Sequence, residues 1–177
     1  MKEKVLKEIK KMKGSLLGIG IEDKDMLECI ENNSNINLCY ILSKSRGINQ
    51  KKFNFFKKGK RKTINIKKIK NHFLKKSVDI ILCEYNTIKK YSKTFTPNSI
   101  YICKEKLIIY GDIDDLKKVL ERYKRYSKEI KTEKNSNSFM AIINVKESKT
   151  SFFKDIYYVI KDSTNEIIDY LTYALTN

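Results

Sequence analysis

The sequence contains 177 residues, a length that favours a single domain able to form its own hydrophobic core. Lysine and arginine number 38 against 21 aspartate and glutamate residues, so the formal net charge is +17 at pH 7. This charge disfavours cationic partners and favours polyanions, nucleic acid above all. Because Ile, Asn, Lys and Tyr are all abundant, as in proteins encoded by A/T-rich genomes, overall composition is a second explanation of the charge.

The cysteines and the single histidine, His72, do not form a metal-binding pattern. Cys29, Cys39, Cys83 and Cys103 lie in or beside apolar runs, and no two of them form a CxxC pair. We therefore expect reduced thiols and no metal site. The chain shows no signal-peptide pattern and no apolar run near the ~20 residues that cross a bilayer, so we expect a cytoplasmic protein without a membrane role.

The first 42 residues predict a β-α-β unit. Residues 1–13 carry apolar side chains at helical spacing among lysines, which indicates a short basic helix. The apolar run Ser15–Ile21 is typical of a strand buried on both faces. Asp23 or Asp25 can cap the helix that follows, and residues 36–42 form a second apolar strand.

The middle of the chain predicts a basic loop and a second helix–strand pair. Residues 43–62 are rich in Lys, Gly and Asn, which favours a loop. Thr63 can cap a helix that leads into the strand Val78–Cys83, and a short helix is predicted from Asn86 to Phe95. Two apolar runs separated by two residues then predict a β-hairpin near residues 99–110.

The last third of the chain predicts helices around one more strand. Asp112 can cap an amphipathic helix, and the polar residues 131–138 indicate a loop. Residues 140–145 predict a strand, and residues 151–177 carry enough apolar side chains for helices that close over the sheet. The alternation of strands and helices favours a single three-layer α/β domain, with a mostly parallel sheet between helices on both faces.

The glycines after the first strand are the first candidate site. Parallel sheets bind ligands beyond the carboxyl ends of their strands, and the first such end is Gly18-Ile19-Gly20. Glycine there lets the backbone approach a ligand and leaves the amides of the next helix accessible. A tight turn without a ligand is the alternative for so short a motif.

Over residues 1–110 the order of elements and this glycine turn resemble the class I S-adenosylmethionine-dependent methyltransferase family, whose fold is Rossmann-like. The family's first strand ends in an acidic residue followed by a glycine-rich turn. In this sequence Gly18 stands at the acidic position and Gly20 at the first glycine. The family's ribose-binding carboxylate has no counterpart near residues 42–44.

The resemblance implies S-adenosylmethionine as the candidate cofactor. The family's fourth strand, which usually meets the substrate, would match residues 79–86, where Glu84 and Asn86 end the strand. The resemblance thus implies that the pocket is lined by Gly18, Gly20, Glu84 and Asn86.

The basic loop is the candidate nucleic-acid site, because its cations follow three phenylalanines. Cations neutralise phosphates and aromatic rings stack on unpaired bases, although a solvated charge run beside buried rings is the alternative. Two arginines three residues apart on a predicted helix face can extend this surface. The nucleic-acid-binding residues that we predict are Phe55, Lys57, Lys58, Lys60, Arg61, Lys62, Arg122 and Arg125.

No catalytic residue is predicted, because the sequence contains neither a P-loop nor a nucleophile elbow. The missing carboxylates favour a degenerate methyltransferase-like domain that binds nucleic acid, RNA rather than DNA. One alternative is an active S-adenosylmethionine-dependent methyltransferase acting on RNA or a small molecule. The other is a structural or regulatory module whose charge is compositional. The sequence indicates no oligomeric state.

Overall fold

The computed structural model describes residues 1–42, 69–70 and 73–146, and within them a six-stranded sheet. The strand order is β2-β1-β3-β4-β6-β5. The first four strands in this order are parallel, β6 is antiparallel to β4, and β5 is antiparallel to β6. The strands are β1 (Gly14–Ile19), β2 (Ile36–Leu42), β3 (Val78–Glu84), β4 (Cys103–Asp112), β5 (Ser127–Lys134) and β6 (Ser138–Val145).

Helices cover both faces of the sheet, which confirms the mostly parallel α/β architecture. They are α1 (Lys2–Lys11), α2 (Lys24–Glu31), α3 (Tyr85–Ile88), α4 (Ser92–Ile102) and α5 (Leu116–Tyr123). The sheet divides the core into two clusters, and alternate side chains of β3 belong to each. Ile80 and Leu82 pack in the cluster with α1 and α2. Ile81 and Cys83 join the other cluster, with α3, α4 and α5. No helix of the described residues is long and apolar enough to cross a membrane.

The predicted β-α-β unit at the start of the chain is confirmed. Every residue of β1 after Gly14 is buried, as expected for a strand covered on both faces. Asp23 caps α2, since its Oδ1 accepts a hydrogen bond of 3.1 Å from the backbone N–H of Met26. Strand β2 has the predicted bounds.

The hairpin predicted near residues 99–110 is wrong. Residues 92–102 form α4 and residues 103–112 form the single strand β4, which is parallel to β3. Pro97 lies inside α4 and does not end it. The Thr96 hydroxyl donates to the Ser92 carbonyl and the Ser99 hydroxyl to the Thr96 carbonyl, so side chains supply hydrogen bonds beside the proline.

Two further differences concern the chain after β4. Residues 131–134 belong to β5, so only residues 135–137 of the predicted loop at 131–138 lie outside a strand. β5 is an edge strand exposed along most of its length, so it lacks the alternation that would have marked it as a strand. Asp112 makes no capping bond, and α5 begins at Leu116 after the 3-10 turn Ile113–Asp115.

Residues Met1–Lys146 form one compact unit. Of the helix predicted after Thr63, residues 73–77 are described and are not helical. Most of the rest of that helix, the basic loop at 43–62 and the C-terminal helices at 151–177 lie outside the described residues. They stay predictions, as does the single domain spanning residues 1–177.

Candidate functional site

The carboxyl end of β1 forms a tight turn at Gly20. Its φ of +71° is a left-handed conformation that favours glycine, and its N–H donates to the Leu42 carbonyl over 2.8 Å. This bond holds the turn beside the end of β2. The predicted glycine turn therefore lies at the carboxyl edge of the sheet, where α/β proteins bind ligands.

Thr87 of α3 closes the space over this turn. A Cβ at position 20 would overlap the Thr87 side chain. The Thr87 hydroxyl donates to Oε2 of Glu84 over 3.1 Å. Gly20, Glu84 and Thr87 therefore meet, and of these three the sequence did not indicate Thr87. Thr87 follows Glu84 by three residues, the separation at which side chains on a helix turn face each other.

Gly18 lies within β1 and faces apolar side chains. A Cβ at this position would stand 2.5 Å from Cδ1 of Ile41 and 3.1 Å from Cγ1 of Ile21. Gly18 stands at the position that is acidic in the methyltransferase family. The two isoleucines leave no room there for a larger side chain.

Glu84 lies opposite Tyr110 in the parallel ladder of β3 and β4. Burial raises the pKa of the Tyr110 phenol, and the nearby Glu84 carboxylate raises it further. Tyr110 is therefore a neutral phenol at physiological pH. Tyr110 lies in an apolar run, so its sequence context does not mark it as a site residue.

Asn86 and Asp112 form a second polar pair at this edge. Nδ2 of Asn86 donates to Oδ2 of Asp112 over 3.1 Å, and both residues are exposed. Three of the four predicted pocket residues, Gly20, Glu84 and Asn86, thus lie at the ends of β1 and β3. Gly18 lies one step inside β1.

Lys2 of α1 lies against the first turn of α2. Its Nζ is 2.8 Å from Oδ2 of Asp23 and 2.6 Å from Oδ2 of Asp25. Burial alone would raise the pKa of Asp23, but the hydrogen bonds from Lys2 and Met26 hold it below its usual value. Asp23 thus stays ionised as the cap of α2 and fixes the chain that leaves the glycine turn.

The predicted arginine pair is divided between two environments. Arg125 is exposed, and its guanidinium lies 4.6 Å from the centre of the Tyr126 ring. Arg122 is half-buried, and its Nε has no hydrogen-bond partner among the residues described. The two side chains therefore do not form one exposed pair. The other predicted nucleic-acid residues, at 55–62, lie outside the described part of the chain.

Two open grooves lie away from the glycine turn. One of about 670 Å³ lies between α5 and the end of β5, and one of about 580 Å³ lies between α1 and α2. The described residues contain no group of three His, Cys, Asp or Glu that could hold a metal ion. Burial raises the pKa of Cys39 and of Cys103 to about 12, so these thiols stay protonated.

No protein-family model matches the sequence, and no curated protein matches it significantly. Solved structures do match. A candidate tRNA methyltransferase from Streptococcus pneumoniae, in complex with S-adenosyl-L-methionine, is 16% identical with a TM-score of 0.50, over 97% of this chain and 90% of its own. A SAM-dependent O-methyltransferase from Thermotoga maritima is 10% identical with a TM-score of 0.51, over 83% of this chain and 65% of its own.

This chain has a methyltransferase-like Rossmann fold. The resemblance in the sequence implies S-adenosylmethionine, and the glycine turn is where the predicted contacts to it would lie. The glycines do not form a cradle for it, because the space that a Cβ of Gly20 would take holds Thr87 and that of Gly18 holds isoleucines, so both glycines serve the protein's own packing. No carboxylate stands at the end of β2, where the sequence continues Leu42-Ser-Lys.

Proposed function

We propose that this protein is an RNA-binding domain built on a methyltransferase-like fold, with a glycine turn that is closed to the cofactor. The observation that carries the proposal is a set of exposed cations without carboxylate partners among the described residues. We call it the α5 cationic surface, and it consists of Lys117, Lys124, Arg125, Lys128 and Lys134. All five side chains are exposed, and none forms an ion pair with a described residue.

The lysines of α1 differ, because several are neutralised within the protein. Lys4 binds Glu133 over 2.9 Å, Lys11 binds Glu8 over 2.6 Å, and Lys2 binds two aspartates. Three of the six lysines in and just after α1 are thus paired with described residues, whereas of the five cations in and just after α5 only Lys118 is, with Asp115, so the α5 side presents more uncompensated charge. A surface of this kind attracts polyanions.

The sequence and the likeness to the Streptococcus pneumoniae protein support RNA as the polyanion. Residues 43–68 contain eleven lysines and arginines and no acidic residue, so the predicted basic loop adds a second cationic segment. The methyltransferase-like relative is described as acting on tRNA. We infer that this chain retains the affinity for RNA and not the cofactor chemistry.

Neutralising the α5 cationic surface should reduce the salt dependence of RNA binding. Each phosphate contact in a single strand contributes about 0.7 to the slope of log K against log salt concentration, so Lys117→Ser/Lys124→Ser/Arg125→Ser should lower the slope by about 2. Fluorescence anisotropy with a labelled RNA over a series of salt concentrations measures this slope.

The matched control is Lys7→Ser/Lys10→Ser/Lys13→Ser, which removes the same charge from exposed positions in and just after α1, on the other side of the sheet. We expect a smaller change in slope for this variant. Equal changes in slope would mean that RNA binding depends only on net charge. That result is expected for a structural or regulatory module whose charge reflects overall amino-acid composition. Replacing Lys57, Lys58, Lys60, Arg61 and Lys62 by Ser tests the predicted basic loop in the same assay.

The second candidate function is an active S-adenosylmethionine-dependent methyltransferase, supported by the likeness to the Streptococcus protein and by the Glu84 carboxylate at the end of β3. A ligand that binds only the folded state, at 100 times its Kd, adds about 2.7 kcal/mol to the free energy of unfolding. Because Thr87 covers the turn, we expect millimolar S-adenosylmethionine to leave the melting temperature unchanged, whereas RNA should raise it. A clear rise with S-adenosylmethionine would make the second candidate the function.

A further inference from the structure

The groove between α5 and the end of β5 combines an apolar floor with a cationic rim. Ile113, Leu116 and Leu120 supply the apolar side chains, and Lys117 and Lys134 lie among the lining residues. The three apolar residues are half-buried. The groove has a volume of about 670 Å³ and opens to solvent on the side that carries the α5 cationic surface.

We propose that this groove receives unpaired bases of single-stranded RNA, with its lysines contacting the flanking phosphates. The inference deepens the proposed function and rests on it. An apolar floor cannot attract phosphate, but it can bury the face of a base, and an ammonium group beside it can neutralise the phosphate of the same nucleotide. A duplex hides its base faces within the stack and cannot use the floor, whereas sequence in RNA is read mainly on unpaired bases.

Further cations follow Lys117 along the chain, which favours a nucleic acid over an acidic peptide. Lys117 and Lys124 are seven residues apart, which separates them by about 10 Å along a helix axis. Beyond Lys124, the Arg125 guanidinium stacked on Tyr126 offers a flat surface for another base. The only acidic residue of α5 is Glu121, which is exposed. A chain of phosphates matches such repeated cations.

Leu120 is the position that separates base contact from phosphate contact. It lines the groove but is absent from the core cluster beneath α5 and from the partly buried residues packed against that cluster. Leu120→Gln removes apolar contact without changing charge, and Leu120→Met keeps the apolar contact as the matched control. We would measure the Kd of each variant by anisotropy for a labelled single-stranded 12-mer and for the same 12-mer in a duplex, with inorganic polyphosphate as a competitor without bases.

We expect Leu120→Gln to weaken single-strand binding about fivefold, the low end of the effect of a base-stacking side chain, and to leave duplex and polyphosphate binding unchanged. Leu120→Met should match the unchanged protein. If Leu120→Gln binds the single strand normally, or weakens all three ligands equally, the groove does not hold bases and the inference is overturned. If polyglutamate displaces the single-stranded RNA more effectively than polyphosphate does, the groove serves an acidic peptide.

A second measurement does not depend on a variant folding. Single-stranded RNA containing 4-thiouridine, irradiated with the unchanged protein and digested with protease, should become crosslinked to peptides that contain residues 113–120. Crosslinks elsewhere only would overturn the inference while leaving RNA binding intact. If the unchanged protein binds no polyanion at all, the proposed function itself fails, which these assays report separately.

Discussion

Gly20→Ala should lower the free energy of unfolding by about 3 kcal/mol, one of the two largest effects that we expect. Two causes combine. A left-handed φ costs an L-residue roughly 1–2 kcal/mol, and forcing an extra methyl into an occupied space typically costs about 1–3 kcal/mol. Here the φ is +71° and the occupied space belongs to Thr87. Urea denaturation followed by circular dichroism gives the difference.

A double-mutant cycle with Thr87→Gly separates the two causes. Thr87→Gly alone loses the hydrogen bond to Glu84 and adds a helix glycine, which should cost about 1–2 kcal/mol. If the Thr87 side chain is the obstacle, Gly20→Ala should cost at least about 1 kcal/mol less in the Thr87→Gly background, leaving the backbone cost alone. Additive costs would mean that Thr87 does not press on the turn, and the reason for excluding the cofactor from it would be lost.

The sequence predicted β1, β2 and β3 from their apolar runs. Of these, β1 and β3 are buried on both faces, whereas β2 is an edge strand with two buried residues, Cys39 and Ile41. The run from Ser99 to Cys103 is equally apolar but ends the helix α4. Short apolar runs do not distinguish a strand from a buried helical turn, and Pro97 gave a false boundary.

The candidate site was predicted in part, because the local sequence marks some of its residues, whereas others depend on contacts with distant segments. Gly20 and Glu84 were identified from their positions after apolar strands, a local property. Thr87 was missed because its role depends on α3 packing over a turn 67 residues earlier in the chain. Strand β5 is a second example, because its own sequence is polar and shows no alternation. It is a strand because it pairs with β6. Contacts between distant segments leave no local pattern.

The second large effect is expected at the opposite end of the sheet, at Asp79. Oδ2 of Asp79 accepts hydrogen bonds of 2.8 Å from both the N–H and the hydroxyl of Ser15, and the Asp79 N–H donates to that hydroxyl over 2.9 Å. These bonds join the starts of β1 and β3. Oδ1 lies 3.4 Å from Nζ of Lys104. Hydrogen bonds to a charged group contribute about 1.5–3 kcal/mol, so Asp79→Asn should cost about 2–3 kcal/mol at pH 7.

This cost should depend on pH in a defined direction. Burial would raise the pKa of Asp79, but the hydrogen bonds from Ser15 and the contact with Lys104 hold it below its usual value. A carboxyl whose pKa is lowered by folding stabilises the protein above its unfolded pKa of about 3.9, and this contribution disappears as pH falls through the lower folded value. The deficit of Asp79→Asn should therefore be full at pH 7 and shrink below about pH 4.

Urea denaturation of both proteins at pH 7, 5 and 3 tests this prediction, with Lys104→Ala as the control. Lys104 is 58% exposed, so its ion pair should contribute less than about 1 kcal/mol, and Lys104→Ala should change stability little at any of these pH values. A deficit of Asp79→Asn that stays constant from pH 7 to pH 3 would mean that the charge is not what Ser15 binds. A large effect of Lys104→Ala would assign the stabilisation to the ion pair and not to the bonds that join β1 to β3.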